Sequence, residues 1–140
     1  MLKLLFYTAV RVSELVRIRV DDVEGCRIFI GQGKGSKDRY ILFPAGFRLM
    51  LKSHLKANSK NSWLFETRRY GAFTARRVQQ IVQHYRKKAG ITDRVHPHLF
   101  RHQMLTYLTS RGLSDAQIQC LLRGENPSSL DEDFSRLAVR

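Results

Sequence analysis

The feature that most constrains this fold is a glycine-rich, basic loop between two short β-rich runs. Strand-type residues alternate over positions 27–31, and a second β-rich run over 40–43 ends at Pro44. The connection over 31–39 contains three glycines and three basic residues. Two such runs joined by a polar, glycine-containing loop are typical of a β-hairpin. The sequence therefore predicts one small antiparallel sheet near the N-terminus.

The remainder of the chain has the apolar spacing and the caps of α-helices. Apolar residues recur at near-helical intervals over 1–20 and again from Phe47 onward. A further helix is predicted from Thr74 as N-cap to Gly90, with Val78, Ile81, Val82 and Tyr85 on its buried face. Another is predicted from Pro97 to Ser110, before Gly112. Two more are predicted, one from Ser114 as N-cap with Gln117 and one over 130–137. These patterns predict an α+β fold that is mainly α, in one domain over 1–140.

The charge of the chain indicates an anionic partner. Twenty-five Lys and Arg residues against twelve Asp and Glu residues give a formal net charge of +13. A basic excess of this size favours a polyanion, and nucleic acid is the most common one in cells. A basic RNA-binding protein and a fragment of a larger, more acidic chain remain alternative interpretations of the charge alone.

Cysteine content and hydropathy further narrow the class of protein to which this chain can belong. Cys26 and Cys120 are far apart and form no Cys-x-x-Cys pair, so the sequence predicts neither a zinc site nor a disulfide framework. No apolar run reaches the roughly 18 residues that a membrane span needs. The start of the chain lacks the small-residue cleavage site of a secretory signal. We therefore expect a cytoplasmic protein without a membrane partner.

Basic residues stand at three separate places in the sequence. Arg11 lies within the first apolar stretch, Lys34 in the hairpin loop, and His98 and Arg101 near the start of a predicted helix. The spacing of His98 and Arg101 places both side chains on one helix face. Taken singly, each has a structural explanation: Arg11 can pair with Glu14, Lys34 can solubilise a loop, and His98 can cap a helix.

Taken together, four segments resemble the tyrosine recombinase (phage integrase) family. Residues 4–15 end in the Arg-x-Ser-Glu-Leu pattern of the family's first box, and 33–39 are similar to its Gly-Lys-Gly-x-Lys-x-Arg hairpin. Residues 96–102 contain the His-x-x-Arg box, and 118–122 resemble the helix that precedes the family's Gly-His pair. The four matches occur in the expected order over nearly the whole chain.

The resemblance implies a specific chemistry. In this family a tyrosine attacks a DNA phosphodiester, forming a 3′-phosphotyrosine and freeing a 5′-hydroxyl, without a metal or nucleotide cofactor. Charge on the phosphoryl oxygens is then met by preorganised protein cations, for which the planar, permanently charged guanidinium is suited. By resemblance, Arg11 and Arg101 clamp the phosphate, Lys34 is the general acid for the leaving 5′-oxygen, and His98 transfers a proton or hydrogen-bonds the phosphate.

Two positions depart from the family pattern. Glu125 occupies the place of the second histidine, where a carboxylate adds negative charge beside a phosphate; one interpretation is that it orients Arg101 or Arg11. Phe134 stands at the spacing of the nucleophilic tyrosine, and its side chain has no hydroxyl with which to attack. A deliberate Tyr-to-Phe change, natural decay of a mobile-element remnant and a different alignment of this acidic tail are three open accounts of Phe134.

The resemblance also gives expectations about partners. It implies double-stranded DNA as the partner and leaves self-association on DNA open. Backbone contacts to DNA, which supply affinity rather than sequence choice, are expected from basic residues outside the catalytic set: Lys37, Arg39, Arg68, Arg69, Arg76 and Arg77.

The organisation of the chain leads to two further expectations. Family members usually carry an N-terminal helical domain that clamps the other face of the DNA, whereas this chain starts a few residues before the first box. We therefore expect a catalytic domain without that clamp. The alternative to a strand-exchange enzyme of this fold is a pseudo-recombinase that binds DNA without cutting it.

Overall fold

The computed structural model describes residues 1–31 and 38–123. Within these residues, helices predominate around one small antiparallel sheet, as the sequence predicts. The helices are α1 (Leu2–Thr8), α2 (Val12–Leu15), α3 (Ala45–Ala57), α4 (Ala75–Lys88), α5 (Pro97–Ser110) and α6 (Asp115–Arg123), with a 3-10 turn at Val20–Asp22. The strands are β1 (Val23–Glu24), β2 (Arg27–Ile30) and β3 (Arg39–Leu42).

The β-hairpin is confirmed in its two strands. β2 and β3 pair antiparallel, with Arg27 opposite Leu42 and Ile30 opposite Arg39. Ile28 and Ile41 face each other across the ladder and are buried, so one face of the sheet joins the core. The connection at 32–37 lies outside the described residues. β1 adds a third strand that the sequence did not predict, because two residues are too few to show an alternating pattern.

The continuous helical stretch expected over 1–20 is wrong, because the chain turns between α1 and α2. Ala9 ends α1 in the left-handed region, with φ 49° and ψ 24°. The hydroxyl of Thr8 donates to the carbonyl of Leu4 at 2.7 Å and accepts a 3.4 Å hydrogen bond from the amide of Val10, which stabilises the corner. Apolar spacing cannot reveal a single left-handed residue, since residues beyond the corner are buried as they would be in one helix.

Helix α4 begins and ends where the sequence predicts. The hydroxyl of Thr74 accepts a hydrogen bond from the amide of Arg77 at 3.1 Å, which satisfies one of the free amides of the first turn. Gly90 follows the helix with φ 68°. Val78 and Val82 are buried, but the expected burial of Tyr85 is wrong, because 49% of this residue is exposed where it lines an apolar groove.

The last two described helices confirm their predicted caps. α5 spans the expected residues and ends before Gly112, whose φ is 88°. Before α6, the amide of Ser114 donates to the side-chain oxygen of Gln117 at 2.8 Å, and the amide of Gln117 donates to the hydroxyl of Ser114. These reciprocal bonds form a capping box. The helix predicted over 130–137 lies outside the described residues.

Two apolar clusters meet at the corner between α1 and α2. The larger cluster joins α1, the sheet, α3 and the start of α4, and Val10 belongs to it. The smaller cluster contains Ala9 together with Met104, Leu108 and residues of α6. Phe100, on the first turns of α5, packs against the larger cluster. The corner is therefore fixed from both sides, and α5 is anchored to both clusters.

No helix in the part of the chain that the structure describes has the length and apolar character needed to cross a membrane.

Replacing Thr74 by Ala is expected to lower the free energy of unfolding by about 1 kcal/mol, because an amide of the first turn of α4 loses its acceptor. Thr74→Ser keeps the hydroxyl and is the matched control, with a smaller expected loss. Urea unfolding of both variants measures the difference. Equal losses in the two variants would show that the hydroxyl does not cap the helix.

Candidate active site

Arg11 is held at the start of α2 by its own backbone. It is the N-cap residue, and its amide donates to Oε2 of Glu14 at 3.0 Å. Its guanidinium makes one longer contact, 3.4 Å from Nη1 to Oε1 of Glu14, and 41% of the side chain is exposed. The backbone of Arg11 is therefore fixed, while 41% of its side chain remains exposed.

Arg101 reaches the same region from the opposite end of the described chain. Its Nη1 donates to the carbonyl oxygen of Ala9, the left-handed residue two positions before Arg11. Burial lowers the pKa of Arg101, as do the positive charges of Arg11 and Arg39, against the opposing charge of Glu14. An arginine keeps its charge at neutral pH even so. Two like charges are thus held near each other on rigid elements.

Glu14 is a buried carboxylate that contacts Arg11 and whose charge acts on Arg101. Arg39, at the start of β3, donates from Nη1 to Oε1 at 3.0 Å and from Nη2 to Oε2 at 2.9 Å, a two-bonded ion pair. Burial alone would raise the pKa of Glu14, but the hydrogen bonds from Arg39 and from the amide of Arg11, with both positive charges, lower it overall. The carboxylate is therefore charged at neutral pH.

Sequence reasoning missed this ion pair, although the strand pattern offered one signal. Residues of a strand two positions apart share a face, so Arg39 lies on the same face of β3 as buried Ile41. Arg39 was expected to contact DNA backbone; the structure places it on Glu14, with 14% of its side chain exposed.

His98 lies in the first turn of α5, three residues before Arg101 and therefore on the same side of the helix. It is exposed, and its ring lies 6.4 Å from that of His96. The side chains of α4 hold the segment before α5: Gln83 donates to the carbonyl of Val95 at 2.5 Å. Arg86 donates to two further carbonyls of the segment, at 3.0 and 3.1 Å. The start of α5 is thereby fixed in position.

Four other basic residues expected to contact DNA have no hydrogen bond to this cluster among the described residues. Arg68 and Arg69 occupy the turn between Glu66 and Ala72, and Arg76 and Arg77 lie in the first turn of α4. All four are exposed. Four site residues expected from the sequence fall outside the described residues: Lys34, Lys37, Glu125 and Phe134.

Comparisons with known proteins place the chain in a family and support its fold. The model of the Phage integrase family matches residues 1–133. The tyrosine recombinase XerC of Bacillus subtilis is 35% identical over 142 residues, covering 92% of this chain and 46% of the relative. The crystal structure of XerA recombinase superposes with a TM-score of 0.77 at 28% identity, covering 98% of this chain and 56% of that one.

A DNA-bound structure shows the same fold. XerH site-specific recombinase, solved with its difH substrate as a pre-cleavage complex, has a TM-score of 0.69 at 23% identity and covers 99% of this chain and 41% of its own.

The chain belongs to the Phage integrase family. It spans about half the length of the tyrosine recombinases that it matches.

Replacing Glu14 by Gln is expected to lower stability most above pH 4.5, the ordinary pKa of a glutamate. The pKa of Glu14 is lower in the folded state, so its ion pairs stabilise the fold above that pH, and the stabilisation is lost as the pH falls through the folded-state pKa. Urea unfolding of both proteins between about pH 3 and pH 7 tests this. A constant difference across that range would contradict the charged pairing of Glu14.

Proposed function

We propose that this chain carries the catalytic domain of a site-specific DNA recombinase, with a phosphate pocket formed by Arg11 and Arg101. One observation carries the proposal: two guanidinium groups from distant parts of the chain meet at the corner between α1 and α2, where Arg101 donates to Ala9 and Arg11 contacts Glu14. Arg39 donates to the same carboxylate. The cluster of these four side chains has a net charge of +2. A compact excess of positive charge on rigid elements fits a phosphodiester.

The chemistry follows from charge stabilisation rather than from a cofactor. Transfer of a phosphoryl group develops charge on its non-bridging oxygens, and preorganised guanidinium forks can meet that charge with two hydrogen bonds each. His98, exposed on the same side of α5 as Arg101, is accessible to the phosphate or to a proton in transfer. In this proposal Lys34 protonates the leaving 5′-oxygen, and Glu125 orients one of the clamping arginines.

The residue at the nucleophile position decides between two functions, DNA cleavage and DNA binding without cleavage. A phosphotyrosine intermediate needs a tyrosine at the position of Phe134, so this chain does not form the intermediate at that position. With Phe134, the pocket holds a phosphodiester without cleaving it, which is the behaviour of a pseudo-recombinase. Phe134 favours binding without cleavage for the unaltered chain. Arg11 and Arg101 favour a strand-transfer activity that was present in an ancestor or that a tyrosine at this position restores.

Double-stranded DNA is the proposed partner. The net charge of +13 and the exposed arginines at 68, 69, 76 and 77 support a phosphate-dominated interface. The XerH neighbour is solved on its DNA substrate. Self-association on DNA is part of the same proposal, since strand exchange joins ends that separate protomers cleave.

Phe134→Tyr is expected to form a denaturant-resistant adduct with a nicked DNA duplex, because it restores a hydroxyl to the proposed nucleophile position. Adding Arg11→Ala or Arg101→Ala should slow adduct formation by about 100-fold or more, as expected for loss of one group that stabilises transition-state charge. Arg48→Ala, on α3 and exposed, is the control. The readout is the single-turnover rate of adduct formation in denaturing gels.

Two outcomes of that experiment would contradict parts of the proposal. Full activity of either double variant would exclude the phosphate-clamp role of the arginine removed. No adduct with Phe134→Tyr, while duplex binding is retained, would leave the binding-only function and exclude a pocket that needs only its tyrosine restored.

Duplex binding by the unaltered chain is expected to weaken steeply with added salt, because bound phosphates release counterions. Arg76→Ala and Arg77→Ala should each reduce the slope of log affinity against log salt by about 1 if that arginine contacts a phosphate. Fluorescence anisotropy over a salt series gives the slopes, with Arg48→Ala as control. A flat salt response would contradict the interface, and tighter binding to duplex RNA than to duplex DNA would favour an RNA-binding protein.

A further inference from the structure

The position of Arg39 raises the question of what this arginine does. Its guanidinium fork is fully directed at one carboxylate, with bonds of 3.0 and 2.9 Å to the two oxygens of Glu14. Only 14% of its side chain is exposed, against 41% for Arg11. An arginine whose two terminal nitrogens are engaged and largely buried is poorly placed to hold a DNA phosphate as well.

The strand that carries Arg39 fixes this geometry. Arg39 pairs with Ile30 in the β2–β3 ladder and shares a face with buried Ile41. The side chain therefore enters the core side of the sheet rather than the solvent. Its Nε is buried without a hydrogen-bond partner among the described residues, so this nitrogen is not exposed to a phosphate either.

The charge balance around Glu14 shows what the ion pair achieves. Three cations act on this carboxylate or on its neighbours: Arg39 and Arg11 in direct contact, and Arg101 through space. A buried carboxylate needs a partner, because an unpaired charge is costly away from water. Without Arg39, the guanidinium of Arg11, already 3.4 Å from Oε1, is the cation in contact with Glu14 among the described residues.

We propose that Arg39 is a positioning residue that satisfies Glu14 and thereby leaves the guanidinium of Arg11 available to a phosphate. Glu14 can then accept the amide of Arg11 at the start of α2 without drawing the guanidinium of Arg11 away from the phosphate pocket. The inference rests on the proposed function, because it assigns Arg39 a role toward the same phosphate pocket. It replaces direct contact between Arg39 and DNA by an action through Glu14.

A double-mutant cycle separates the two roles of Arg39. Affinity for a nicked duplex is measured for the unaltered chain, Arg39→Met, Glu14→Gln and the double variant. We expect Arg39→Met to weaken binding by about tenfold, the order of coupling seen within one ion-pair network. The double variant should bind about as well as Glu14→Gln alone, because the neutral side chain of a glutamine at this position no longer competes for Arg11 and can still accept its amide.

A direct DNA contact predicts a different cycle. Arg39→Met would then weaken binding by the same factor whether position 14 carries Glu or Gln, and that additive result would overturn the inference. Arg76→Met is the matched control, since loss of this exposed arginine should be additive with Glu14→Gln. Arg39→Lys keeps the charge but loses the fork, and an intermediate affinity is expected; because it is the milder change, it serves in the cycle if Arg39→Met fails to fold.

A second probe keeps the test independent of DNA. Inorganic phosphate should raise the thermal midpoint of the unaltered chain above that in sodium chloride of equal ionic strength, since ligands that bind the folded state stabilise it. This increment should shrink in Arg39→Met and return in the double variant with Glu14→Gln. If DNA binding is absent but this pattern holds, the proposed function fails and the role of Arg39 stands. An increment that Arg39→Met leaves unchanged would overturn the inference.

Discussion

The arrangement of this site depends on one buried carboxylate. Glu14 accepts the amide that begins α2, the fork of Arg39 from β3 and a contact from Arg11. A carboxylate with so little exposed surface stays charged only because its hydrogen bonds and cations outweigh the cost of burial. The start of α2, Arg39 on β3 and the guanidinium of Arg11 therefore depend on one another through Glu14. Removing any one of these contacts changes the charge that the other two must neutralise.

The left-handed corner at Ala9 places the second arginine in this arrangement. Because Ala9 ends α1 in the left-handed region, its carbonyl accepts from Arg101 instead of continuing the helical hydrogen bonds. Ala9 and Val10 belong to different apolar clusters, so the corner is held from both sides. A conformation that costs an alanine about 1 kcal/mol or more persists because the surrounding packing determines it.

Sequence reasoning gave the regular parts of this architecture and missed its irregular ones. The bounds of α5 and the caps at Thr74 and Ser114 follow from local chemistry, which acts over three or four residues and can be recognised in a sequence. The corner at Ala9 and the pair of Glu14 with Arg39 depend on residues distant in sequence or on a single backbone angle. Periodicity does not report either. The family boxes located Arg11 and Arg101 as candidates, but only the fold shows that Arg101 reaches the corner next to Arg11.

The side chains of α4 hold the segment before α5 by hydrogen bonds to its main chain. Gln83 and Arg86 donate to the carbonyl oxygens of Val95, Thr92 and Asp93, and the side chains at 92–94 are exposed. Every residue type presents the same carbonyl, so this attachment is indifferent to which amino acids occupy the segment. The segment is therefore a place where substitutions can accumulate during evolution while His98 and Arg101 keep their position, with variation tolerated immediately beside a fixed site.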